Sequence, residues 1–155
     1  MGEAGWLRLR WRIEGSARLV IPHFAGIRRA DGLWRTTCFE LFARVPGDRA
    51  YVEFNLSPSE NWATYRFAAY RAGMEEQPVT RAPVITPRRG RDVVILDAAL
   101  RLEGLPRLPL EVGLAAVLEE EGGVLSYWAL AHSGEKPDFH DPACFAARLG
   151  PADQP

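Results

Sequence analysis

Turn-forming pairs interrupt this chain at short intervals: Glu14-Gly15, Asp31-Gly32, Pro46-Gly47, Ala72-Gly73, Arg89-Gly90, Glu103-Gly104, Gly122-Gly123 and Ser133-Gly134. Between them lie runs rich in β-branched and aromatic residues. Gly, Pro, Asn and Asp supply the backbone angles that turns need, and branched or aromatic side chains suit a pleated, half-buried surface. The spacing predicts an all-β fold, an antiparallel β-sandwich or barrel. Strands are expected over residues 6–13, 17–21, 34–45, 50–56, 63–71, 93–99, 110–119 and 124–131. Residues 77–91, rich in Pro and Arg, are expected to form an edge strand or a loop. Residues 104–109 read as a loop and 150–155 as a frayed tail.

A chain of 155 residues fits one domain, with a core expected over about residues 6–149. At that size roughly 68–70 % of the unfolded surface is buried on folding, so neither metal nor disulfide is needed to hold it. The formal net charge is −1, with 19 basic and 20 acidic side chains. A protein that neutralises phosphates is usually clearly basic, so nucleic acid is not an expected partner. No stretch approaches the ~20 apolar residues that span a bilayer, so no membrane association is expected. The charged N-terminus has no apolar signal-like segment. These features predict a cytoplasmic protein in which Cys38 and Cys144 are free thiols. The oligomeric state is left open.

Alternation within the predicted strands places side chains on faces. Residues Phe39, Leu41, Ala43 and Val45 share one face, with Val52, Phe54 and Leu56 beside them across a short hairpin. The opposite face carries Trp34, Glu40, Glu53 and Asn55. In the next strand Trp62, Thr64, Arg66 and Tyr70 are assigned to this polar face, and Trp128 is added from the strand over 124–131. Aromatic planes among hydrogen-bonding groups suit a small polar ligand. A wet sheet face with ordinary Glu–Arg pairs is the competing reading.

Two segments carry a resemblance: LWRTTCFELFARVPGDRAYVEFNLSPSENWATYRFAAY over residues 33–70 and LSYWALAHSGEKPDFHDPACF over 125–145. They resemble the bacterial DOMON-like proteins, which are related to family 9 carbohydrate-binding modules. The resemblance implies a jelly-roll-like β-sandwich that binds sugar or haem on one sheet or at its rim. A sugar ring stacks its C–H face on an indole while its hydroxyls need fixed donors and acceptors. Trp34 and Trp62 are the candidate platform, and Glu40, Glu53, Asn55 and Arg66 the candidate polar contacts.

Haem is the less favoured alternative. It needs axial ligands, and the candidates are Met74 with His23, His132 or His140. No CxxCH is present for covalent attachment. His132, Lys136, Asp138 and His140 surround Pro137 and are candidates for direct ligand contact. The same segment reads equally as a rigid loop with Asp138 capping backbone N–H groups, or as a metal set. No metal and no cofactor are assigned, and no catalytic residue is assigned. No nucleophile elbow, dinucleotide fingerprint, P-loop or HExxH occurs. Three readings follow. The leading one is a non-catalytic domain binding a small ligand, most plausibly a saccharide. The second is an enzyme acting on such a ligand through Glu40 and Glu53 or the His132–His140 segment. The third is a haem-binding or protein-interaction module.

Overall fold

The computed structural model describes residues 5–150. It is all-β, with two antiparallel sheets. Strands are β1 (Trp6–Glu14), β2 (Cys38–Arg44), β3 (Tyr51–Leu56), β4 (Trp62–Phe67), β5 (Glu75–Glu76), β6 (Val84–Arg89), β7 (Val93–Arg101), β8 (Leu110–Glu120), β9 (Val124–Ala129) and β10 (Ala147–Leu149). The small sheet runs β1-β7-β6. The large sheet runs β10-β8-β2-β3-β4-β5, with β9 also on β8. No helix among the described residues is long and apolar enough to cross a membrane.

The alternation in β2 and β3 has the expected consequence. Phe39 pairs with Leu56 and Leu41 with Phe54. These side chains face Leu96, Ala98 and Leu100 of β7, and Leu9 and Trp11 of β1 pack around them. This interior, closed between the sheets, is the main core. Burying each large aliphatic or aromatic side chain there contributes about 1.5–3 kcal/mol.

Several expected elements differ. The strand expected from residue 34 starts at Cys38, because Gly32, with φ 70°, leads into a 3-10 turn over Leu33–Arg35. Residues 17–21 contribute one bridge, Leu19 to Glu120, rather than a strand. Residues 77–91 do supply an edge strand, β6, which carries Pro87 at the rim of the small sheet. The short strands β5 and β10 had no visible pattern. Residues 151–155 of the expected frayed tail lie outside the described residues.

The large sheet has a second packed face. Phe42, Tyr51, Tyr65, Phe67, Ala115 and Val117 point outward from the main core, and residues 139–145 fold across part of them. Phe145 stacks on Phe42 at 5.8 Å. Asp141 caps the turn over Pro142–Cys144 by accepting from the Ala143 N–H at 2.9 Å. Gly113 permits this closure, since a Cβ there would lie 3.0 Å from the Phe145 ring and 3.1 Å from the Cys144 carbonyl. The part of this face that the segment leaves open is a cleft.

Candidate functional site

The cleft has a volume of about 530 Å³, within the ~300–1,000 Å³ usual for small-molecule sites. Its floor comes from the outer face of the large sheet. Glu40 pairs with Asn55 across β2 and β3, and Glu53 lies two residues from Asn55 on the same face. The register between β3 and β4 places Glu53 opposite Tyr65 and Asn55 opposite Ala63. Trp34, Tyr127, Phe139, Phe67, Met74 and Arg71 complete the walls with Val117, Pro137 and His140.

The two carboxyl groups meet at one amide. The hydrogen-bonding pattern turns the Asn55 NH₂ toward them, and it donates to Glu53 Oε1 at 3.0 Å and Glu40 Oε1 at 3.2 Å. Glu40 and Glu53 are only 4 % and 6 % exposed. Burial raises the Glu40 carboxyl well above its ordinary range, and the neighbouring Glu53 adds to the rise. Burial also pushes Glu53 up to about 7, against a smaller pull from Arg71. A buried acid favours its neutral form because water no longer solvates the charge.

His140 stands in a box of Phe42, Tyr51 and Phe67, with ring centroids 5.0, 5.7 and 5.1 Å away. Burial lowers it to about 4, so the ring is neutral near pH 7. The Tyr51 hydroxyl lies 2.7 Å from His140 Nδ1 and accepts the Arg71 backbone N–H at 3.1 Å. Because that hydroxyl already accepts from Arg71, its own proton is free to go to Nδ1. That assigns the ring proton to Nε2, which lies 3.7 Å from Glu53 Oε2. Arg71 has φ 49° and its guanidinium donates to Asp138 Oδ1 at 2.8 Å. The Tyr70 hydroxyl donates to the other oxygen of Asp138. Tyr65 likewise donates to Asp31. Burial and Asp31 both hold the Tyr65 hydroxyl protonated.

The structure brings Trp34, Glu40, Glu53, Asn55 and His140 to this cleft. Asp138 stands just behind it, held by Tyr70 and Arg71. His132 and Lys136 are exposed on the loop before it, with the His132 ring 6.3 Å from Phe139. Three assignments are corrected. Trp62 pairs with Leu56 and packs in the main core beneath the Arg29 guanidinium, 4.7 Å away, not at the cleft rim. Arg66 pairs with Val52 and forms an exposed ion pair with Glu75 at 2.6 Å. Trp128 pairs with Ala116, a main-core residue, so it too faces away from the cleft. A shift of one residue in register exchanges the two faces of a strand. The turn between β3 and β4 sets that register. The Ser57 N–H bonds the Asn61 carbonyl, the Ser59 N–H bonds Ser57 Oγ, and Glu60 adopts φ 70°. The cleft therefore takes Tyr65 and Phe67 rather than Trp62 and Arg66.

Residues not anticipated are Tyr65, Phe67, Arg71, Val117, Tyr127, Pro137 and Phe139. Tyr127 was accessible from alternation, since it neighbours Trp128 and must face the other way. Arg71 was not, because its placement depends on a left-handed turn. Haem does not fit these residues. Both nitrogens of His140 are turned to Tyr51 and Glu53, and neither His23 nor His132 lines the cleft with Met74. Among the described residues no three His, Cys, Asp or Glu side chains are grouped to hold a metal ion. Cys38 and Cys144 are buried and unbridged.

No family model matches the chain, and no curated protein sequence matches it. A crystal structure of a protein from Bacteroides uniformis, whose name proposes carbohydrate binding, is similar in fold. It superposes with a TM-score of 0.60 at 15 % identity, covering 92 % of this chain and 72 % of that one. The likeness supports the β-sandwich architecture.

Proposed function

We propose that the protein binds a small saccharide in this cleft without transforming it. The observation that carries the reading is the meeting of Glu40, Glu53 and Asn55 at the floor of a cleft walled by Trp34, Tyr127 and Phe139. Carboxyl and amide groups pair with hydroxyls, and the aromatic faces accept the apolar side of a sugar ring. The name of the similar Bacteroides uniformis protein agrees with this reading. So does the resemblance to DOMON-like proteins and family 9 carbohydrate-binding modules. Calorimetric titration of the purified protein with a panel of mono- and disaccharides tests it. Binding of at least one sugar is expected, weakened about fivefold by Trp34→Ala if the ring stack is worth about 1 kcal/mol. No binding across the panel overturns the reading.

A second reading is glycoside hydrolysis by the Glu40 and Glu53 pair, and one distance relationship constrains it. Two bonds of 3.0 and 3.2 Å through one amide, laid end to end, fall short of the ~6.5–9.5 Å that inverting enzymes need. An inverting reaction is therefore disfavoured, and a hydrolase built on Glu40 and Glu53 would be of the retaining kind. Aryl glycosides that bind without turnover decide for the binding reading.

A further inference from the structure

We propose that the ligand carries a protonated amine, seated over Glu40 and Glu53 and enclosed by the aromatic walls, which makes amino sugars the class that fits. This rests on the saccharide reading above.

Among the described residues no Lys or Arg forms an ion pair with either acid; Arg71 acts on them only through space. Both carboxyl groups are more than nine-tenths buried and line the cleft. The Asn55 NH₂ is the one donor that the described residues bring to Glu40. Glu53 has only that amide and the distant Nε2 of His140, whose ring is neutral. Every other charged or titratable group facing the pair is already engaged. Arg71 is held by Asp138, Asp31 by the Tyr65 hydroxyl, and the Tyr51 hydroxyl by His140. The Cys38 thiol is kept protonated by burial.

A buried carboxylate without a cation is costly, and pairing offsets that cost. A sugar hydroxyl donates one hydrogen bond but brings no charge. An ammonium brings three donors and a positive charge, and its hydrogen bonds to carboxylates are the stronger kind. Aromatic faces within about 6 Å attract the same cation. A metal ion is a poorer match, since no third ligating side chain joins the pair among the described residues. When an ammonium arrives, Glu53 gives up its proton, because a nearby cation favours the ionised form.

Matched pairs test the idea by calorimetry at mildly acidic pH: glucosamine against glucose, galactosamine against galactose, mannosamine against mannose, with ethanolamine as an amine lacking a ring. In at least one pair the amine is expected to bind about tenfold tighter, equivalent to about 1.4 kcal/mol. Its binding heat should vary with the buffer's ionisation heat, as proton release requires. Glu53→Gln, nearly identical in shape, should remove both the preference and the proton release. Twins that bind equally overturn the amine assignment and leave the saccharide reading standing. Ethanolamine binding with every sugar inert overturns the saccharide reading and retains the cation seat. No binding by any probe overturns both.

Discussion

The backbone N–H of Arg71 donates to the hydroxyl of Tyr51 at 3.1 Å, which fastens a left-handed residue of the β4–β5 connection to a strand under the cleft. A non-glycine residue in that conformation costs about 1–3 kcal/mol and persists only where its surroundings hold it. The same hydroxyl bonds His140, so one tyrosine ties the turn, the crossing C-terminal segment and the sheet together.

Tyr51→Phe removes both bonds and leaves Nδ1 of His140 without its donor. A loss of about 1–3 kcal/mol is expected. Urea unfolding should show a lower midpoint with an unchanged slope. An unchanged midpoint would show that the hydroxyl does not hold the turn.

Stability should depend on pH in two opposed ways. Glu53 has a folded value near 7 against 4.5 for an exposed glutamate, so the folded state binds more protons between those values. Stability therefore falls as pH rises from about 4.5 to about 7, by about 3 kcal/mol. His140 is shifted the other way, from 6.5 to about 4, so its contribution is lost as pH falls through that window. The two slopes partly cancel in the parent protein. Glu40 is raised by its own burial and slopes with Glu53, so Glu53→Gln should remove only part of the fall with rising pH and tilt the profile toward the rise that His140 contributes. Parallel unfolding curves for parent and variant at every pH would contradict the burial argument.

Arg66→Ala should change little. Arg66 and Glu75 are more than half exposed, and such pairs contribute about 0–1 kcal/mol. Arg66 also lies on the opposite face of β4 from Glu53, so sugar affinity should stay the same. Loss of affinity in this variant would mean that the β3–β4 register differs from the one described.

Gly113→Ala should loosen the segment over the second face. Its new methyl would press on the Phe145 ring and the Cys144 carbonyl, an overpacking worth about 1–3 kcal/mol. In the native parent, neither buried thiol should react quickly with a maleimide, and both should react after denaturation. In the variant Cys144 should become reactive while Cys38, on the floor strand, stays protected. Equal reactivity of both cysteines would point to global unfolding instead.

Much of the fold was legible because strand alternation is a local property. Phe39, Leu41, Val52 and Phe54 announced one buried face, and Glu40, Glu53 and Asn55 the other, within a single hairpin whose short turn leaves little freedom. The assignments that failed, Trp62, Arg66 and Trp128, all required knowing how one strand registers on the next. Grouping polar with polar placed Arg66 beside Glu53, whereas the Ser57–Asn61 turn placed Tyr65 there.

By itself the sequence determined the class of fold and put Glu53 and Asn55 on one face, since side chains two residues apart on a strand must share a face, and the short hairpin turn brought Glu40 beside them. Only the tertiary structure decided that this face is a walled cleft and not a wet surface. Residues 139–145 cross it after returning from far along the chain, and Arg71 reaches its wall through a left-handed turn held by Tyr51. Burial by a distant segment shifts the acids and the histidine, and no local pattern encodes which segment will arrive.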